Sequence, residues 1–152
     1  MKWITRERPK IDRVACPWLI ARFIDHDAEF VFVPPDAVTR EAAERGAMPF
    51  DVEGVELSHD GPRCSFDAFL AKYQLQGDAA LARIATIVRG ADTARLDLAP
   101  EAAGLLAISL GLSALFADDH VQLEHGFVVY DAMYAWCTRA ADEAHTWNPQ
   151  RR

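Results

Sequence analysis

The chain has 152 residues, 51% of them hydrophobic and 26% charged, with a net charge of −7, enough for one domain that buries its own core. Its basic residues are scattered, which excludes the electrostatic footprint of a nucleic-acid or anionic-membrane binder, and no stretch reaches the ~18 apolar residues of a membrane span. No long apolar segment follows the N-terminal positive charges, so a cytoplasmic protein is expected.

Trp3-Ile4-Thr5 reads as a first strand. Pro17 suits the first position of a helix, with Cys16 as its N-cap and Trp18, Leu19, Ile20, Phe23 and Ile24 as its apolar face. Glu29–Val33 is the clearest strand, stopped by Pro34-Pro35. The β-α-β order predicts a parallel pair. Asp36 then caps a helix to about Arg45, ended by Gly46. Met48–Asp51 and Val55–His59 read as short strands joined through Gly54. Ser65 caps a helix from Phe66 to about Tyr73. Helices follow over Ala79 to about Gly90, Pro100 to about Phe116, and Asp118 to about Ala144. The expected architecture is α+β, a small mixed sheet from the N-terminal third packed against a C-terminal helical layer. It forms one domain over residues 1–145, with a loose tail over 146–152. No internal repeat or low-complexity segment is present.

Within the last of these helices, His120, Glu124 and Asp131 fall within about 40° of one another at ~100° per residue. His125 lies about 140° from His120 and cannot join it on one ion. Leu123, Phe127, Tyr130 and Met133 form an adjacent apolar arc, which places the polar stripe on the rim of the core. Gly126 in mid-helix predicts a close approach of backbone or ligand, or a local bulge. The i, i+4 pair His120 and Glu124 suits a shared ion, and His59, at the end of an apolar run, is the expected third ligand. Such an N/O set suits a divalent metal, Zn, Mn or Fe. A surface pair plus a histidine with one structural hydrogen bond is the plain alternative.

The odd number of cysteines, Cys16, Cys64 and Cys137, without a C-x-x-C pair, points to free thiols. A helix N-terminus near Arg13 would depress the pKa of Cys16 and make it a redox or anion-site candidate, but the plainer reading as a capped and partly buried thiol is favoured. Cys64 beside Arg63 is similar. The Cys16 to Arg22 spacing imitates a phosphatase loop, but the intervening residues contain no glycine and read as buried helix. Asp12-Arg13 reads as an ion pair or an anion contact. Asp92 either faces the cleft of His59 or forms a turn.

Several blocks together are distinctive: Ile11–Ile20, Pro49-Phe50-Asp51, Glu56–His59, Arg63–Asp67, Ala91-Asp92-Thr93 and Gly126–Trp136. In order, over about residues 2–139, they resemble the C-terminal domain of ChrB-type chromate-resistance proteins, a family also labelled chromate resistance exported protein, although no signal peptide is read here. The resemblance implies a component of bacterial chromate resistance and its stress response. Longer members resemble chromate-responsive regulators with an additional N-terminal region thought to include the DNA-binding part. This chain begins at the C-terminal domain, so direct nucleic-acid binding is not expected of it.

Two functions from different classes follow. One is a sensor or accessory domain that binds a small inorganic ligand, either a metal ion or chromate, the latter held by Arg13 or Arg63 with a helix N-terminus. The other is a metal-dependent redox enzyme acting on chromate or reactive oxygen species, with the ion on His59, His120 and Glu124 and electrons passing through Cys16 or Cys64. The net charge of −7 works against steering a dianion to the surface and favours a neutral ligand or a bound cation, and the binding reading is preferred. The apolar last helix also offers a homodimer interface.

Overall fold

A computed structural model describes residues 1–150. Strand β1 (Lys2–Arg6) is the middle of a three-stranded sheet, with β2 (Glu29–Val33) on one side and β3 (Met48–Pro49) on the other. The register pairs Ile4 with Val31 and with Pro49, and Trp3, Ile4 and Thr5 are buried. The fold is α+β, but the sheet is parallel throughout where a mixed one was expected. A helix makes each return, α1 (Asp12–Leu19) before β2 and α2 (Val38–Arg45) before β3, and a helical crossover joins parallel strands. The expected hairpin does not form. Asp51 takes a left-handed conformation (φ 50°) that ends β3, and the chain from Val55 to His59 crosses as an irregular loop tied by the Asp51 N–H to the Leu57 carbonyl. That loop places His59.

Helix α1 begins at Asp12, five residues before the expected start, and encloses Pro17. It widens into a π turn over Ile20–Ile24. After α2, Gly46 supplies the left-handed end (φ 60°). Helix α3 (Ser65–Lys72) starts after Cys64, whose N–H donates to Asp67. Then come α4 (Ala79–Asp92), α5 (Ala102–Leu115) and α6 (Asp119–Ala135), the last capped by Asp118 and continued as a π turn over Trp136–Ala140. Residues 143–150 are exposed without helix or strand, and Arg151 and Arg152 of the expected tail lie outside the described residues. No helix among the described residues is long and apolar enough to cross a membrane.

Trp3, Trp18, Phe50, Phe66, Phe69 and Tyr130 are the large side chains of the core. Each contributes roughly 1.5–3 kcal/mol by leaving water. Two glycines set how closely the helices pack. A Cβ at Gly126 would overlap the Val14 side chain, so α6 lies hard against α1; the close approach is to a side chain rather than to backbone or a ligand. A Cβ at Gly90 would sit 2.9 Å from that of Ala102, which fixes α4 on α5. The α1–α6 contact holds the first residues of α1 in place, and the site described next is built on them.

Candidate functional site

Asp12 is the centre of the site. It opens α1, is 1% exposed, and accepts hydrogen bonds from the backbone N–H groups of Ser65 (2.6 Å) and Phe66 (3.1 Å) at the start of α3. One buried carboxylate therefore satisfies two donors that the first turn of a helix leaves unpaired. Asp92, at the end of α4, brings a second carboxylate within 4.8 Å of that of Asp12. Asp51, just past β3, accepts from the Ser65 hydroxyl (2.7 Å) and from Arg6 (2.8 Å), with Arg13 at 3.4 Å. Over these carboxylates lies His59, whose Nε2 is 2.9 Å from Asp92, 3.4 Å from Asp51 and 3.6 Å from Asp12. Its side chain is 42% exposed, so the cluster has one face open to solvent. A cleft of about 460 Å³ beside it is lined by Arg6, Asp51, Ser58 and His59 among others.

The backbone is strained at the same place. Ile11, a β-branched residue, sits at φ 44°, ψ −98° directly before Asp12, and Asp51 is at φ 50°. Such conformations cost on the order of 1–3 kcal/mol each and persist only where surrounding contacts hold them. Here the Ile11 carbonyl accepts from the N–H groups of Val14 and Ala15 and from the Tyr130 hydroxyl (3.2 Å).

The three carboxylates are not equivalent. Burial raises Asp12, and the negative charges of Asp92 and Asp51 raise it further, so it is held well above the usual carboxylate range. Burial also raises Asp92, with Asp51 adding to the effect. For Asp51 burial acts the same way but is outweighed by His59, Ser65 and Arg6, and its pKa falls. His59 is raised to about 9, first by its hydrogen bond to Asp51, against a smaller opposing effect of burial, and then by the charges of Asp12 and Asp92. Its nearest oxygen is on Asp92, but the ionised Asp51 does most to hold its proton.

One ligand atom each from Asp12, His59 and Asp92 lie within 4.8 Å of one another, the one such group among the described residues. Two donors bound at ~2.1 Å to one ion at tetrahedral or octahedral angles stand roughly 3.0–3.4 Å apart. The separations of 2.9, 3.4 and 3.6 Å from His59 Nε2 to the three carboxylates are of that size. The arrangement fits a divalent cation with one imidazole and two or three carboxylate ligands, a set suited to Zn, Mn or Fe. A proton on Nε2 and a cation at the same nitrogen exclude each other.

Of the residues singled out in the sequence, His59 and Asp92 are in this cluster and the α6 stripe is not. His120 places its Nε2 2.8 Å from the Phe30 carbonyl on β2, with its ring edge-on to Phe32. Glu124 is exposed on α6. Asp131 accepts from Trp18 (2.8 Å) and pairs with Arg22 (2.9 Å). His59, His120 and Glu124 thus do not come together.

Arg13 does not pair with its neighbour Asp12 but with Asp51, and it donates to the carbonyls of Arg6 and Glu7. Because α1 begins at Asp12, Cys16 lies in its second turn, fully buried and 3.4 Å from Asp12. Burial and that carboxylate push its thiol pKa up, the reverse of the depression expected at a helix N-terminus. Burial likewise pushes up the thiol of Cys64, and Cys16, Cys64 and Cys137 are all free. In the sequence Asp12 reads as half of a local pair with Arg13, and Asp51 carries no signal of its own beyond lying in one of the distinctive blocks.

The family model described as "ChrB, C-terminal domain" matches residues 3–137. "Protein ChrB" of Cupriavidus metallidurans is 35% identical over 133 residues, an alignment that takes in 88% of this chain and 40% of the relative. The chain therefore spans about 40% of the length of the curated relative it matches. No solved structure matches it.

Proposed function

This chain belongs to the ChrB C-terminal domain family of chromate-resistance proteins, and from that premise we propose that it is a sensor or accessory domain whose ligand is a divalent cation held by Asp12, His59 and Asp92. The observation that carries the proposal is the position of His59 Nε2, within 3.6 Å of carboxylates from three separate segments. Asp12 belongs to α1 and to the cap of α3, Asp51 follows β3 and Asp92 ends α4, so a cation there ties four elements together and transmits occupancy to the fold. The ion replaces the proton of His59 and relieves the mutual repulsion that raises Asp12 and Asp92.

The oxyanion alternative has less in its favour. Asp12 already occupies the N-terminus of α3, and Arg13 is engaged by Asp51 and two carbonyls. The redox alternative needs a thiolate, and Cys16 and Cys64 are buried with pKa values that favour the thiol.

Titration of metal-free protein with Zn²⁺ and Mn²⁺, followed by calorimetry and elemental analysis, tests the proposal. One equivalent is expected in the unmodified protein and in His120→Ala, with affinity reduced about tenfold to a hundredfold in His59→Ala and Asp92→Asn. Binding that survives both of the latter changes, or that depends on His120, overturns it.

A further inference from the structure

Helix α5 is apolar on both sides. Its buried face holds Ala102 and Leu105 together with Ser109 and Ser113, and the Ser113 carbonyl and hydroxyl take the guanidinium of Arg8. Its outward positions hold only Gly, Ala, Ile and Leu, with Ile108 49%, Leu110 48% and Leu115 76% exposed. From Ala102 to Leu115 there is no charged side chain. A helix apolar on its outer side is normally covered, and a contiguous face of this kind marks an interaction surface. Beside it, α5 and α6 enclose a groove of about 460 Å³ lined by Ile108, Val128, Val129, Ala132, Met133 and Trp136.

We propose that this face joins two copies of the chain in an isologous dimer, with the two α5 helices crossing antiparallel at Gly111. Charge selects the occupant. Each copy carries −7, so two copies repel except where the surface is neutral, and the outer side of α5 is such a surface. A two-fold axis also requires the face to be complementary to itself. With Gly111 on the axis, Leu115 of one copy meets Ala107 of the other and Ile108 meets Ala114, large against small at both steps, while Leu110 and Leu112 meet at the flank. Gly111 has open space around its Cα, which lets the backbones approach closely. In extent, a 14-residue helix is ~21 Å long, and with the flank of α6 at ~10 Å spacing it presents roughly 400 Å² in plan. Counted over both copies this is roughly 800 Å², below the ~1,200 Å² at which stable specific interfaces begin, so the dimer is a weak one that dissociates on dilution.

The test is the mass of the full chain by sedimentation equilibrium from about 1 to 300 µM, the range in which an interface of this size associates. The mass is expected to rise from 16.9 kDa towards twice that value. Ile108→Glu, at an exposed position that leaves the core untouched, should hold it at the monomer value with an unchanged melting temperature. Gly111→Leu fills open space in one copy but blocks the crossing, and should weaken association at least tenfold. A monomer at every concentration overturns the dimer, including the case in which the face serves a different partner. Association that Gly111→Leu leaves intact, or that runs past two copies, also overturns it, since that is unspecific adhesion.

Discussion

Two regions of the molecule carry metal-type side chains, and they arrive by opposite routes. The stripe His120, Glu124, Asp131 is aligned by a single helix, yet its members go to separate partners: the Phe30 carbonyl, solvent, and Arg22 with Trp18. The cluster Asp12, Asp51, His59, Asp92 comes from segments up to 80 positions apart, and all four meet within hydrogen-bonding or ion-pair distance. Helical spacing aligns side chains but does not remove water from them. Convergence and desolvation together come only where several elements close over one point, and there charges shift one another's pKa.

The comparison breaks most sharply at Asp12. Asp12→Ala strands the Ser65 and Phe66 N–H groups at the buried start of α3 and is expected to cost about 3–4 kcal/mol, read from urea unfolding of the metal-free protein. A loss as small as that of an exposed ion pair would show that the cluster is not the structural centre described here. Gly126→Ala should cost about 1–3 kcal/mol by forcing α6 off Val14, because α6 acts chiefly as the packing partner of α1. An unchanged melting temperature would contradict that close approach.

The pH profile comes next. His59 is raised from 6.5 to about 9 in the folded protein, so the folded form favours the protonated ring. Its stabilisation is complete below about pH 6.5 and disappears as pH rises through about 9. Solvent exposure of the ring keeps the effect modest. The raised pKa values of Asp12 and Asp92 act with the same sign. The urea midpoint of the metal-free protein is expected to fall between pH 6.5 and 9.5, and His59→Gln should flatten that interval; a midpoint that rises there would contradict the assignment. At the small end, His120→Ala should cost about 0.5–1 kcal/mol and Glu124→Ala less than about 0.5 kcal/mol. Losses there equal to that of Asp12→Ala would restore the helical stripe as a site.

Much of the frame was legible. The β-branched and aromatic run of β2, the start of α6 at Asp118 and the Gly46 stop are local features, and each stands where its residues predicted; Gly126 marked a close approach, but that its partner is Val14 of α1 is a tertiary outcome. The start of α1 is not legible because Pro17 imitates a first-turn proline, while the true first residue, Asp12, is held by its bonds to the start of α3. The hairpin was missed because Asp51 leaves the strand in a left-handed turn to meet Ser65 and Arg6.

By itself the sequence determined the α+β architecture, the positions of most helices and the kinship, since propensity, capping and periodicity act over a few residues. It also held every member of the cluster within the short blocks that carry the resemblance. Only the tertiary structure decided that Asp12, His59 and Asp92, rather than three residues on one helix face, share a point in space. It alone decided that Cys16 lies in the second turn of α1 rather than at its N-terminus and that apolar side chains of α5 face outward. These outcomes depend on which distant segments exclude water from one another, and no local pattern records that.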